Sequence, residues 1–343
     1  MDRVPVSPRY FDYLLGVEGC CCVHHCLAMA ERYPHDVMPA YVPPQNNFLL
    51  HYSGAYNDLP GVGVNLDVTD AGETITVRRT FHTPAGDLHD VRAATRPGSP
   101  VNFDHVVEAL VKNAGDLEKV RFLLPTPQQA FLGEIPLLRQ AIGDRGLLLV
   151  RPTQGVDQFL MDSLGIENAF TMYYDDRQLL LDLLQIFQSY HRAILQAVLE
   201  QGVGILFETW YNCSPGVGWS PAQFRELFKP LIKQNVELIH SYGAYVDYFD
   251  DGRMNDVLED LAEVGIDVVE TLAPPPLGNV DLAQAKRRIG SQVCLKGHTD
   301  PVNVICFGTP ELIRETVRQA IIAAAPGGGF ILGTADSIRP ESP

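Results

Sequence analysis

After residue 100 the chain is punctuated by short apolar runs: VRFLLPTP (120–127), GLLLVRPTQ (146–154), VGILFETW (203–210), AYVDYFDDG (244–252), IDVVETLAPPP (266–276), VCLKGHTDP (293–301) and GFILGTADS (329–337). Most are apolar throughout rather than alternating, which predicts strands covered on both faces. Amphipathic stretches separate them. In 175–201, Leu180, Leu183, Leu184, Phe187, Ile194 and Val198 recur at helical spacing. Ser220 followed by Pro221 marks a helix start, and Gly243 stands where a helix should end. Strand and helix alternating in this way predict a parallel sheet with helices outside. With an eighth strand from VPVSPRY (4–10), the expected fold is an α/β (β/α)8 TIM barrel rather than an open doubly wound sheet. No G-x-G-x-x-G follows an early strand, and Gly327–Gly329 precedes a strand instead of following one.

Upstream the texture differs. A helix-like segment covers Val17–Arg32 and a Pro-rich loop follows at 38–48. Then LDVTDAGETITVRRTFHTPAGDLHDV (66–91) alternates through Ile75, Val77, Arg79 and Phe81 and carries turn residues at 70–72 and 84–86. This predicts an antiparallel β-meander, an insertion at 60–95 within a single domain of 1–343.

Composition narrows the class. Hydrophobic residues make up 46% and charged residues 20% of the 343, as in folded globular chains. No apolar run reaches membrane-spanning length, and MDRVPVSPRY lacks the basic and apolar regions of a secretory signal, so a cytoplasmic protein without membrane contact is expected. Acids outnumber bases 42 to 26, for a formal charge of −16, which argues against a nucleic-acid partner. Of seven cysteines, Cys20, Cys21, Cys22 and Cys26 crowd into CCCVHHC, a pattern of reduced thiols rather than a disulfide framework. Cys22 and Cys26 share a helical face, but two ligands are half a metal site, and packing explains them more simply. Phe11, Tyr13, Phe48 and Tyr52 add aromatic groups of undetermined placement.

In parallel barrels the chemistry sits where strands end. The residues there are Thr126, Thr153 with Gln154, Glu208 with Trp210 and Asn212, Asp250 with Asp251, Glu270, His298 with Asp300, and Asp336. A carboxylate/histidine series of this kind can hold Zn²⁺: Glu270, His298 and one of Asp251 or Asp336 would leave a position open for substrate. Hydrogen bonding of these acids to loop amides is the simpler alternative. Trp210 and Tyr211 would wall an apolar or aromatic substrate. Neither a G-x-S-x-G nucleophile elbow nor a P-loop is present.

Four passages resemble the uroporphyrinogen decarboxylase superfamily, which includes corrinoid-dependent methyltransferases. They are YFDDGRMNDVLEDLAEVGIDVVETLAP, LKGHTDPVNVICFGTPELIRETV, GGGFILGTADSIRPESP and VRRTFHTPAGDL, the last similar to a hairpin of the methyltransferase branch. The resemblance implies a barrel with its site at the strand C-terminal mouth. The decarboxylases' Arg-Gln-Ala-Gly-Arg-Tyr signature has no counterpart in YPHDVMPAYVPPQNN. The zinc-binding His-x-Cys and Cys of the thiol-methylating branch fall on Phe249, Asp251 and Asp336.

These departures point to an O-demethylase type. A methyl group would pass from a methoxylated, aromatic donor to the cob(I)alamin of a separate corrinoid protein. Zinc, held by Asp251, Glu270, His298 and Asp336, would act as Lewis acid. Glu208, Asp250 and His298 are the expected catalytic groups, and Trp210, Asn212 and Gln154 the expected substrate contacts. A decarboxylase or other lyase on the same barrel is the alternative. The acidic mouth suits a neutral or cationic methyl donor, and a homodimer is compatible with all of this.

Overall fold

The computed structural model describes residues 3–9, 23–43, 59, 61–70, 72, 74–95, 104–127 and 132–342. In chain order its strands are β1 (Ala40–Tyr41), β2 (Gly63–Asp70), β3 (Thr74–Thr83), β4 (Gly86–Thr95), β5 (Asp104–Glu108), β6 (Leu149–Val150), β7 (Ile205–Thr209), β8 (Tyr245–Phe249), β9 (Val268–Glu270), β10 (Cys294–Thr299) and β11 (Phe330–Thr334). The chain forms two compact units. One comprises Met1–Val42, Leu132–Pro152 and Gln196–Pro343; the other comprises Pro43–Phe131 and Thr153–Leu195.

The first unit is an α/β fold around a seven-stranded parallel sheet, ordered β1-β6-β7-β8-β9-β10-β11. All five residues of β7 are buried, as expected of a strand covered on both faces. Helix starts follow the local signals: Ser220 and Gln223 form a reciprocal capping box, with Pro221 opening Pro221–Leu227. Asp281 and Thr309 cap the helices Leu282–Ile289 and Pro310–Ala324. Between β9 and β10 the backbones approach closely at Gly297, whose φ is +113° and where a Cβ would stand 2.6 Å from Thr271 O.

Two strand expectations change. Instead of a full eighth strand, VPVSPRY contributes one parallel bridge, Val6 to Leu332, with Asp36 N donating to Val6 O on the other side. The run at 120–127 is not a strand. Asp116–Arg121 is helical, Val120 and Leu123 are buried and Phe122 is exposed, a spacing of one helical turn. Thr126 is therefore exposed rather than placed at a strand end. The corresponding place in the sheet goes to β1, inside the stretch expected to be a loop.

The second unit contains the antiparallel sheet β2-β3-β4-β5, which extends past residue 95 to Glu108. On β3 the residues Ile75, Val77, Arg79 and Phe81 share the buried face, so the charged Arg79 follows the apolar alternation inward. Its cross-strand neighbour is Asp90, which takes the guanidinium through Nε at 2.8 Å and through Nη2. Both side chains are fully buried. The helix Arg177–Leu199 realises the periodic segment 175–201.

Candidate active site

The register of the parallel sheet aligns strand ends. Thr209 pairs with Phe249, Phe249 with Glu270, and Thr299 with Thr334. Side chains of a strand alternate between faces, and this parity sorts the acids of 244–252. Asp247, Phe249 and Asp251 share one side; Tyr248 and Asp250 share the other. The first side opens on a cavity of about 350 Å³ at the strand ends, lined among others by Arg9, Arg151, Tyr211, Asp251, Lys296 and Asp336.

Its aromatic wall is Phe207, Tyr211 and Phe249, with ring centroids 5.4 Å (Phe207–Phe249) and 5.3 Å (Tyr211–Phe249) apart. Two guanidinium groups lie on these rings. Arg9 Cζ is 4.0 Å from the Phe249 centroid and Arg151 Cζ 4.9 Å from that of Tyr211. Arg151 Nε also donates to Thr209 Oγ1 at 2.9 Å.

A row of alternating charges runs from the sheet interior to the cavity wall. Lys296 Nζ donates to Asp247 Oδ2 and to Glu270 Oε2, both at 2.8 Å, and all three side chains are buried. Glu270 Oε1 faces Arg9 Nε at 3.6 Å. Burial by itself would raise the Glu270 carboxyl, but Lys296 and Arg9 outweigh it and hold the group below its ordinary range. Asp247 is paired with Lys296 and keeps Oδ1 unpartnered; burial, with Glu270 nearby, pushes it up to about 7.

Asp251 is exposed to the cavity yet surrounded by protein. Desolvation and the neighbouring Asp336 push its carboxyl up to about 8. At neutral pH it carries a proton and can give it away.

The other expected site residues lie elsewhere. Glu208 points to the opposite side of β7, where Asn235 Nδ2 donates to its Oε2 at 3.1 Å. Trp210 has the same parity and is buried; Asn212 O accepts from Trp219 Nε1 at 2.9 Å. Asp250 is fully buried and accepts from Gly252 N at 2.6 Å and Tyr248 Oη at 3.3 Å. Gln154 belongs to the second unit, as does Thr153, whose hydroxyl meets His191 Nδ1 at 2.7 Å. Asp300 caps the helical turn after β10. None of these residues lines the cavity.

His298 does not line it either. Its backbone has φ +87°, beside Thr271 at +77° and Leu272 at +48°, and its Nδ1–H donates to Leu272 O at 2.8 Å. That bond leaves Nε2 with the lone pair, and burial lowers the affinity of the ring for a second proton. The expected zinc set is thus divided: Asp251, Glu270 and Asp336 line the cavity without His298. Among the described residues no group of three or more His, Cys, Asp or Glu side chains is placed to hold a metal ion. Glu270 is committed to Lys296 and faces Arg9, and the remaining donors are carboxylates alone. This donor set does not fit zinc, which favours nitrogen and sulfur ligands. Of CCCVHHC, Cys20–Cys22 lie outside the described residues, as do Phe11, Tyr13, Phe48 and Tyr52, while Cys26 is buried at the cavity wall.

Arg9, Arg151 and Lys296 are the functional candidates missed by reading strand ends for acids. A lysine inside a buried run was the available signal, since such a charge requires buried partners.

A parallel β/α sheet with its cavity at the C-terminal strand ends is the arrangement of TIM-like enzymes. The chain belongs to the uroporphyrinogen decarboxylase (URO-D) family, whose sequence profile matches residues 158–343. It is 27% identical over 243 residues to a uroporphyrinogen decarboxylase of Streptomyces avermitilis, covering 69% of this chain and 65% of that one. The uroporphyrinogen decarboxylase of Chlorobaculum parvum is 32% identical over 163 residues, 46% of this chain and 43% of its own length. The chain thus spans less than two thirds of either relative. A methyltransferase from Methanosarcina mazei shares the fold, with a TM-score of 0.68 and 17% identity over 100% of this chain and 90% of that one. Among the described residues no helix is long and apolar enough to cross a membrane.

Proposed function

We propose that this protein transfers a methyl group from a small methoxylated donor to a corrinoid carried by a partner protein. The observation that carries the reading is the state of the cavity's cations. Lys296 is bound by Asp247 and Glu270, Arg9 stands against Glu270 and Phe249, and Arg151 is held by Thr209 and Tyr211. A polycarboxylate tetrapyrrole would find two of the three cations already hydrogen-bonded and only Arg9 partly open, whereas a small aromatic ether finds an aromatic wall. The full-length fold likeness to a methyltransferase supports the same choice.

The corrinoid supplies a two-electron nucleophile for the methyl carbon. As the methyl–oxygen bond breaks, its electron pair stays on oxygen. Asp251 delivers its proton to that oxygen, so the alcohol or phenol leaves neutral and Asp251 is left as carboxylate. Burial, with Asp336 beside it, keeps Asp251 protonated beforehand. Phe207, Phe249 and Tyr211 keep water from the ether. No step passes through zinc.

The test incubates the protein with cob(I)alamin and methoxylated aromatics and follows the corrinoid spectrum. Methylation that depends on protein and donor is the expected result; none with any donor overturns the reading. Decarboxylation is the second reading, favoured by the names of the sequence relatives and by two arginines at one cavity. Carbon dioxide released from uroporphyrinogen would establish it instead.

A further inference from the structure

The second unit carries a helix that its own core scarcely uses. In Ile166–Asp175, ten residues long, Ala169 alone is buried, while Ile166 and Tyr174 stand 48% and 76% exposed. A helix of that length gains little from local propensity and ordinarily lays an apolar face against its domain. Here Asn168, Met172 and Asp175, at helical spacing, instead wall an open groove of about 460 Å³. Its floor is buried Val111 and Leu179, and Val107 of β5, 58% exposed, also lines it.

The acids of this groove are of two kinds. Glu108 is compensated, by Arg78 at 3.3 Å and Lys112 at 3.1 Å, and meets His89 Nε2 at 2.8 Å. Asp175 and Asp176 are exposed and meet no cation among the described residues. Asp176 Oδ1 accepts from Leu179 N at 3.2 Å, a contact that starts the helix Arg177–Leu199. Arg177, the adjacent base, lies instead on the Tyr173 ring, with Cζ 4.9 Å from its centroid. Two uncompensated carboxylates beside an apolar floor are complementary to an apolar side chain flanked by a cation.

We infer that this groove docks a basic segment of a partner protein, with an apolar side chain seated on Val111 and Leu179 and a lysine or arginine paired with Asp175 and Asp176. A second copy of the chain brings a further formal charge of −16 and meets these acids with like charge, as nucleic acid and anionic lipid do. The second unit alone carries the inference, which does not depend on the methyl-transfer reading. In that reading the corrinoid carrier is the partner that would present the segment.

The test titrates the full chain, by fluorescence anisotropy, into labelled peptides of equal length. One is an amphipathic peptide of lysine and leucine; the others replace its lysines by glutamate or its leucines by serine. The lysine–leucine peptide is expected to bind about tenfold or more tightly than either counterpart. Asp175→Lys should weaken that binding by about tenfold, and Val107→Asn by about threefold. Glu311→Lys, the same charge change at an exposed position of the first unit, should alter it by less than about twofold. Binding of no peptide overturns the inference. So does equal binding of the leucine and serine forms, or an equal loss in Asp175→Lys and Glu311→Lys, since either leaves only a general attraction to an acidic chain. Methylation of free cob(I)alamin should be the same in Asp175→Lys as in wild type, so the groove and the methyl-transfer reading stand or fall separately.

Discussion

Two arginines in this protein meet acids in opposite ways. Arg79 in the antiparallel sheet is fully buried and clasps Asp90 through two donors. Arg9 at the cavity faces Glu270 at 3.6 Å and leaves Nη1 without a partner. The first pair lies on directly opposed residues of a hairpin, so the register that forms the sheet also closes the ion pair. The second joins the N-terminal segment to β9, and Glu270 is already turned toward Lys296. A closed pair holds structure; an open one has donors left over for something else.

The largest effect expected from this contrast is on the closed pair. Arg79→Met should destabilise the chain by about 3–5 kcal/mol in denaturant titrations, because it strands the Asp90 charge in the interior. Adding Asp90→Leu should recover much of that loss. If the single variant is silent, the pair is not structural.

Next in size is Asp251→Asn, which should lower methyl-transfer turnover by about 100-fold or more. In the wild type, turnover should fall as pH rises through about 8, where Asp251 loses its proton. Stability follows the same sign. A carboxyl raised in the folded state holds its proton longer there, so stability is full below the unfolded value near ~4 and declines as pH climbs toward about 8. Asp251→Asn should flatten that decline in pH-dependent melting; an unchanged profile would mean that another group titrates.

The smallest effect is the stability change of Arg9→Gln, expected to be well below that of Arg79→Met because no hydrogen bond is lost and Glu270 keeps Lys296. A loss as large as that of Arg79→Met would erase the distinction between the two arginines.

Much of the fold was legible. The apolar runs at 146–154, 203–210, 244–252, 266–276, 293–301 and 329–337 each contain a strand of the parallel sheet, and the alternation through Arg79 and Phe81 gave the buried face of β3. The run at 120–127 misled because four or five apolar residues fit either a strand or the buried side of a short helix. At the site, composition at strand ends was the wrong measure. Asp250 and Asp251 are neighbours in sequence but face opposite sides of the sheet, and the same parity carries Glu208 and Trp210 away from the cavity. Asp247, Phe249 and Asp251, two residues apart, were the better signal.

The sequence by itself determined the alternation of strands and helices, the capped helix starts and the family, since these rest on periodicities and motifs within short windows. Only the tertiary structure decided which charge answers which. Arg9, Glu270 and Lys296 come from distant parts of the chain, and a buried charge is governed by whatever the fold brings within a few ångströms of it. That is why Glu270, which looked like a zinc ligand in sequence, became part of a salt-bridged row, and why a donor without an acceptor was left at its end.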